Sequence, residues 1–83
     1  MISIIMPVYN LASHLKKVLR HTLDLHGDFE LIAVDGGSID KSLDILQSFP
    51  EVKIYHASKG RSLQMNKGAQ HAKGNILLFL HAD

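Results

Sequence analysis

The sequence predicts an α/β fold: a Rossmann-like parallel sheet with helices on both faces and strand order 3-2-1-4. Three observations lead there. Four apolar runs alternate with three stretches of helical periodicity over 83 residues. The connections between them are short, which favours right-handed crossovers between parallel strands. Runs one, two and four are apolar on both faces, as interior strands of a parallel sheet are, whereas run three alternates.

The elements follow in order. Ile2 to Met6 is β-branched and apolar, and Pro7 is expected to close it. Leu11, Leu15, Val18, Leu19 and Thr22 fall at helical spacing, with Asn10 as N-cap and Gly27 as the stop. Phe29 to Val34 is a second buried run. Ile39, Leu43 and Leu46 repeat at i, i+4 and i+7, with Ser38 as N-cap and Pro50 ending the pattern. Val52 to Tyr55 is a short, less buried strand. Leu63 to Ala72 reads as a third helix closed by Gly74, and its Gly68, Ala69 and Ala72 form a small-residue face for close packing on the sheet. Ile76 to Leu80 is the most apolar run, and its bulk is that of a central strand buried on both sides.

Composition narrows the function classes. Hydrophobic residues make up 46% of the chain, enough to form a core rather than a disordered segment. The net charge of +1 and the lack of a Lys/Arg run argue against a nucleic-acid partner. With no cysteine there are no disulfides and no thiolate metal sites. The apolar N-terminal run is too short for a signal peptide or a membrane span. Three common motifs are missing: GxGxxG after strand one, GxxxxGK[ST], and GxSxG.

In an open parallel sheet, ligands bind beyond the carboxyl ends of the strands. Here those ends read Pro7-Val8-Tyr9-Asn10, Asp35-Gly36-Gly37-Ser38, His56 to Arg61, and His81-Ala82-Asp83. The opposite ends carry ordinary turn residues such as Gly27-Asp28 and Pro50-Glu51. Asp35 has two readings. Its carboxylate can accept from a ribose hydroxyl or a base edge, with Gly36 and Gly37 allowing close approach, or it can serve the N-terminal region of the second helix. Asp83 is either a ligand for Mg²⁺ or Mn²⁺ bridging a diphosphate, or part of a solvated turn; an oxygen-preferring metal would choose it over His81. Lys59 and Arg61 suit a phosphate at the third helix, or form a solvated basic loop. The other histidines (His14, His21, His26, His56 and His71) lack metal-ligand spacing and are read as surface residues.

The strings ISIIMPVYN, LIAVDGGSID and KGRSLQMNKGAQHAKGNILLFLHAD, in this order, resemble the start of family 2 glycosyltransferases. Within that family they are most similar to the arsenosugar-biosynthesis-type subgroup. The resemblance covers essentially the whole chain. It implies a GT-A fold, a nucleoside-diphosphate sugar as donor, a divalent metal (Mg²⁺ or Mn²⁺) and inversion at the anomeric carbon. By the same resemblance, Pro7, Val8, Tyr9 and Asn10 lie beside the nucleoside. Asp35 contacts the base or ribose, with Gly36 next to it. Gly60 opens the third helix, and Arg61, Gln64 and Asn66 belong to its motif. His81, Ala82 and Asp83 match the DxD motif, with Asp83 as the metal ligand. Two departures stand out: His81 replaces the first Asp of DxD, and Leu11 stands where Glu commonly follows Asn.

The chain is therefore expected to be the nucleotide-sugar-binding N-terminal part of a glycosyltransferase domain, residues 1–83, truncated after the DxD-like motif. Its acceptor is undefined, and the general base is expected beyond residue 83, so no catalytic residue is assigned and the chain alone is expected to be inactive. The expected location is cytoplasmic or membrane-peripheral. Self-association is expected through the free edge of strand four. The alternative is a catalytically silent nucleotide-binding or oligomerising module.

Overall fold

Seven elements alternate strictly between strand and helix in the computed structural model, which describes residues 1–82. The strands are β1 (Ile2–Val8), β2 (Phe29–Asp35), β3 (Val52–His56) and β4 (Ile76–Phe79). The helices are α1 (Ala12–Leu23), α2 (Ser42–Gln47) and α3 (Arg61–His71). The strands form one sheet in the order β3-β2-β1-β4, with every pairing parallel, as the sequence predicts.

Side-chain alternation along β1 and β2 divides the core into two layers. Ile4, Met6, Val8, Leu31 and Ala33 face Leu15 and Leu19 of α1 and Leu46 of α2. On the other face, Ile5, Ile32 and Val34 meet Ala69 and Ala72 at the end of α3. Gly68 permits this approach, because a Cβ there would collide with Ile5 Cγ2 and lie 3.2 Å from Val34 Cγ2. The small-residue face expected from the sequence is thus seen packed on the sheet.

Several boundaries differ from the sequence expectation. β1 does not stop at Pro7; it continues to Val8, with Pro7 opposite Val34. The Gly36 amide donates to the Val8 carbonyl, and the Leu80 amide donates to the Ile5 carbonyl. By alternation, Pro7 turns its nitrogen toward the β4 side, past the paired end of β4 at Phe79. A proline costs no bond of the β1–β2 ladder there, and the pairing of β1 with β4 stops at this point. α1 ends at Leu23, and Gly27 lies beyond it in the turn to β2. α2 is shorter than its periodicity implied: it begins at Ser42, and Ile39 lies outside it, 89% exposed.

The largest correction concerns β4. Ile76, Leu77, Leu78 and Phe79 are between 42% and 56% exposed, so this strand is not buried on its two faces within the described residues. Among the described residues it pairs only with β1, and α3 packs over β1, β2 and β3 instead. An apolar run shows that a strand's faces favour cover; it does not show which element supplies it.

The lower end of the sheet, opposite the site, is fastened by a buried carboxylate. Glu30 accepts from Ser3 Oγ at 2.6 Å, Lys53 Nζ at 2.7 Å and the Lys73 amide at 2.6 Å. Ser3 Oγ in turn accepts from the Gly74 amide at 2.8 Å. Burial by itself would raise the Glu30 carboxyl, but the hydrogen bonds from Lys53, Ser3 and the Lys73 amide outweigh it and lower it to about 2. The network ties the α3–β4 turn to the starts of β1, β2 and β3, and so sets where β4 enters the sheet.

Candidate functional site

At the upper end of the sheet, the β1–α1 and β2–α2 loops are built as one unit. Asn10 adopts a positive φ of 50°, a conformation its side chain tolerates better than most. Its Oδ1 accepts from the amides of Ile39 at 2.9 Å and Asp40 at 3.4 Å, and its own amide donates to Ser38 Oγ at 2.9 Å. Asp40 then bridges back, accepting from the Ala12 amide at 3.1 Å and the Ser42 amide at 2.9 Å. The Leu11 amide donates to Ser42 Oγ at 2.8 Å. The Ser42 hydroxyl and these amides hold the Asp40 carboxyl below its usual range.

This arrangement replaces both N-caps expected from the sequence. Neither Asn10 nor Ser38 caps its own helix; Leu11 and Lys41 occupy the cap positions without side-chain cap bonds. Asp40 instead serves the first amides of both α1 and α2. The orphan donors of a helix end can be met by any nearby acceptor, and a residue 28 positions away is invisible to a local capping rule.

Asp35, 3% exposed, closes the β2–α2 loop on itself. Its Oδ2 accepts from the amides of Gly37 at 3.0 Å and Ser38 at 3.1 Å, and its Oδ1 accepts from Ser38 Oγ at 2.6 Å. The turn needs Gly37 at a φ of 93°. These bonds organise the β2–α2 loop at Gly37 and Ser38 and do not reach the first amides of α2, which begins at Ser42. His56, which the sequence reading placed on the surface, is 64% exposed and brings Nδ1 to 3.9 Å from Asp35 Oδ2.

Beside these loops lies an open pocket of about 240 Å³. It brings together Pro7, Tyr9, Lys59, Gly60, Arg61, Gln64 and His81, which the sequence singled out, and adds Leu11. The Lys59 ammonium lies over the Tyr9 ring. Gly60 immediately precedes α3, so the first amides of that helix border the pocket. Gln64 is buried at 4% exposure.

The remaining predicted site residues are placed differently. The Val8 side chain is fully buried in the core, and Ala82, 7% exposed, belongs to the same core cluster. Asn10 and Gly36 stand in the adjoining loops and Asp35 at the end of β2, and none of the three lines the pocket. Asn66 lies on a second, more open hollow with His56 and Lys67. Asp83, the expected metal ligand, lies outside the described residues. Among the described residues, no group of three or more His, Cys, Asp or Glu side chains converges on a possible metal position.

α1 and α2 cover one face of the sheet and α3 the other, so the chain reverses its direction of travel between β1 and β4. The pocket sits at that switch point, lined by Pro7 from β1 and by His81 beyond β4. Its place defines a doubly wound α/β protein with a pocket at the carboxyl edge of the sheet, where such folds bind ligands.

Known proteins narrow the class further. The profile of Glycosyl transferase family 2 matches residues 3–83, and the chain belongs to that family. A PGL/p-HBAD biosynthesis glycosyltransferase of Mycobacterium tuberculosis is 43% identical over 93 aligned residues, covering 100% of this chain and 35% of the relative. The undecaprenyl-phosphate 4-deoxy-4-formamido-L-arabinose transferase of Pseudomonas aeruginosa is 31% identical, covering 100% of this chain and 28% of the relative. The chain thus spans about a third of the length of these curated relatives. Among solved structures, residues 1–349 of Staphylococcus aureus TarS superpose with a TM-score of 0.90 at 24% identity, over 99% of this chain and 27% of that TarS fragment. The glucosyl-3-phosphoglycerate synthase of M. tuberculosis, in complex with Mn²⁺, UDP and glucosyl-3-phosphoglycerate, superposes at 0.86 with 19% identity, over 100% of this chain and 33% of the synthase. The fold is that of the GT-A glycosyltransferases.

Proposed function

We propose that the chain forms the donor-binding part of a glycosyltransferase that takes its sugar from a nucleoside diphosphate. The observation that carries this reading is the composition of the pocket: an aromatic ring, two cations and a helix N-terminus at the switch point of the sheet. A base can stack on Tyr9, while a diphosphate suits Lys59, Arg61 and the first amides of α3. Pro7, Val8 and Asn10 shape the loop beside the nucleoside. Asp35 and Gly36, beside the pocket, are assigned in this reading to the ribose.

The described residues do not by themselves form a metal site. Asp83, with His81 and Ala82 leading into it, is the residue proposed to hold Mg²⁺ or Mn²⁺, most of whose other positions would fall to water and phosphate oxygens. A metal so held would neutralise charge on the leaving diphosphate. M. tuberculosis glucosyl-3-phosphoglycerate synthase with UDP and Mn²⁺, and the Pyrobaculum calidifontis mannosyltransferase PcManGT with GDP-Man and Mn²⁺, support this reading by their shared fold. The arsenosugar-type subgroup, inversion at the anomeric carbon and a general base beyond residue 83 are further parts of the proposal. So is a cytoplasmic or membrane-peripheral location. Among the described residues, no helix is long and apolar enough to cross a membrane.

A thermal-shift and calorimetric panel of UDP, GDP, CDP and dTDP, each with and without Mn²⁺, tests the reading. Stabilisation by at least one nucleoside diphosphate is expected, strengthened by the metal. No response to any of them would sink it. The exposed apolar β4 favours a second reading, a catalytically silent binding or oligomerising module. Sugar transfer by a protein containing this chain, lost on Asp83→Asn, would separate the two.

A further inference from the structure

We infer that Gln64 is a positioning residue: its buried carboxamide clamps three segments of the donor site in register, and its polar groups are engaged by main chain rather than by ligand. This rests on the donor-site reading above. The carboxamide offers two N–H donors and one carbonyl. Nε2 donates to the Val8 carbonyl at 3.0 Å and to the Val34 carbonyl at 2.9 Å, which uses both donors. Oε1 accepts from the Gly60 amide at 3.2 Å. Val8 leads directly into Tyr9, Val34 into Asp35, and Gly60 into Arg61. One side chain from the first turns of α3 thus joins the β1–α1 loop, the β2–α2 loop and the loop before α3.

Two further facts single this residue out. The Val8 and Val34 carbonyls lie 56 and 30 positions away in sequence, so these two bonds are tertiary, whereas the Gly60 bond is local to the start of α3. The carboxamide also occupies the space beside Gly36, where a Cβ would lie 2.9 to 3.0 Å from Gln64 Cδ, Nε2 and Oε1. A side chain at position 36 would therefore push against the clamp. A glutamate at position 64 has nearly the same shape, but its carboxylate would face two carbonyl oxygens. Only its protonated form can return a single donor. Burial and those carbonyls would both favour that protonated form.

The test compares Gln64→Glu and Gln64→Ala with the wild-type chain. Nucleoside diphosphate affinity is measured from about pH 8 to about pH 5.5, where folding of each variant is checked by its melting curve. Gln64→Glu is expected to bind about tenfold more weakly than wild type at the upper end, as a buried donor pair is lost. The ratio to wild type should recover as pH falls, while Gln64→Ala shows no such recovery. Independently of any nucleotide, hydrogen exchange at the Gly60 amide should accelerate in Gln64→Ala. Gly36→Ala should weaken binding in the wild-type background and add little in Gln64→Ala. Unchanged Gly60 exchange together with a flat Gln64→Glu ratio would overturn the clamp. A wild-type chain that binds none of the nucleotides, yet shows the exchange effect, would overturn the donor-site reading and leave the clamp standing.

Discussion

The Lys59 ammonium sits 4.3 Å from the centroid of the Tyr9 ring, joining the loop before α3 to the loop after β1 across the pocket. A cation over an aromatic face is worth about 0.5–1 kcal/mol at an exposed position. That is weak enough to yield to a ligand. In the proposed site the pair would separate the two halves of a nucleoside diphosphate, with the ring serving the base and the cation the phosphates.

Tyr9→Ala is accordingly expected to weaken binding of nucleoside and nucleoside diphosphate alike, by about 1–3 kcal/mol, the usual loss of one base–aromatic stack. Lys59→Ala should weaken the diphosphate and leave the nucleoside nearly unchanged, and its effect should shrink at high salt. Calorimetry with both ligands against both variants reads this directly. Equal losses for both ligands in Lys59→Ala would show that the cation serves the pocket's shape and not the phosphates.

Gly68→Ala probes how closely α3 lies on the sheet. The added methyl would meet Ile5 and Val34, both fully buried in the layer under α3. Overpacking of this kind costs about 1–3 kcal/mol. Urea unfolding should show a lower midpoint with an unchanged slope. A variant as stable as wild type would mean that α3 can lift from β1 without penalty.

Much of the architecture was legible because it rests on local, periodic signals. Strand order and the parallel pairing follow from βα alternation, and Gly68 was readable as a packing residue because small side chains recur along α3. What could not be read was set by distant partners. Asp40 caps α1 from another loop, Gln64 donates its amide to two strand ends, and β4 owes its exposure to the lack of a packed neighbour among the described residues. The Pro7 boundary was missed for a subtler reason: proline ends a strand only where its nitrogen faces a paired neighbour. Residues that the motifs singled out supply most of the pocket lining, while the hydrogen-bond partners of Asp35 and Gln64 could not be read from the motifs.

Glu30 makes stability depend on acid in a defined window. Its folded-state carboxyl is lowered from 4.5 to about 2, so its contribution is fully present above 4.5 and is lost as pH falls through about 2. Glu30→Gln should unfold more easily at neutral pH by about 1–3 kcal/mol, through weakened charge-assisted bonds to Lys53, Ser3 and the Lys73 amide. The gap between the two proteins should close as pH drops from 4.5 towards 2. Chemical denaturation at several pH values gives this difference curve. A gap constant across that window would mean that the carboxylate is not the charged hub of the network.

The last prediction concerns the exposed edge. Within β4, alternation from the Leu80–Ile5 bond turns the main-chain groups of Ile76 and Leu78 toward β1 and those of Leu77 and Phe79 outward. Unpaired outward groups beside apolar side chains invite a further strand. The purified 83-residue chain is therefore expected to self-associate with rising concentration. Leu77→Lys would place a charge on the edge, the device by which natural sheets discourage such pairing. Leu77→Pro would remove one outward N–H while leaving the bonds to β1 intact. Both variants should shift the chain toward monomer in sedimentation velocity, and neither should alter nucleotide affinity by much, since residue 77 lies away from the pocket lining. If both remained as associated as wild type, the contact would have to run through another surface, and the exposed apolar faces of β4 would lose their claim to it.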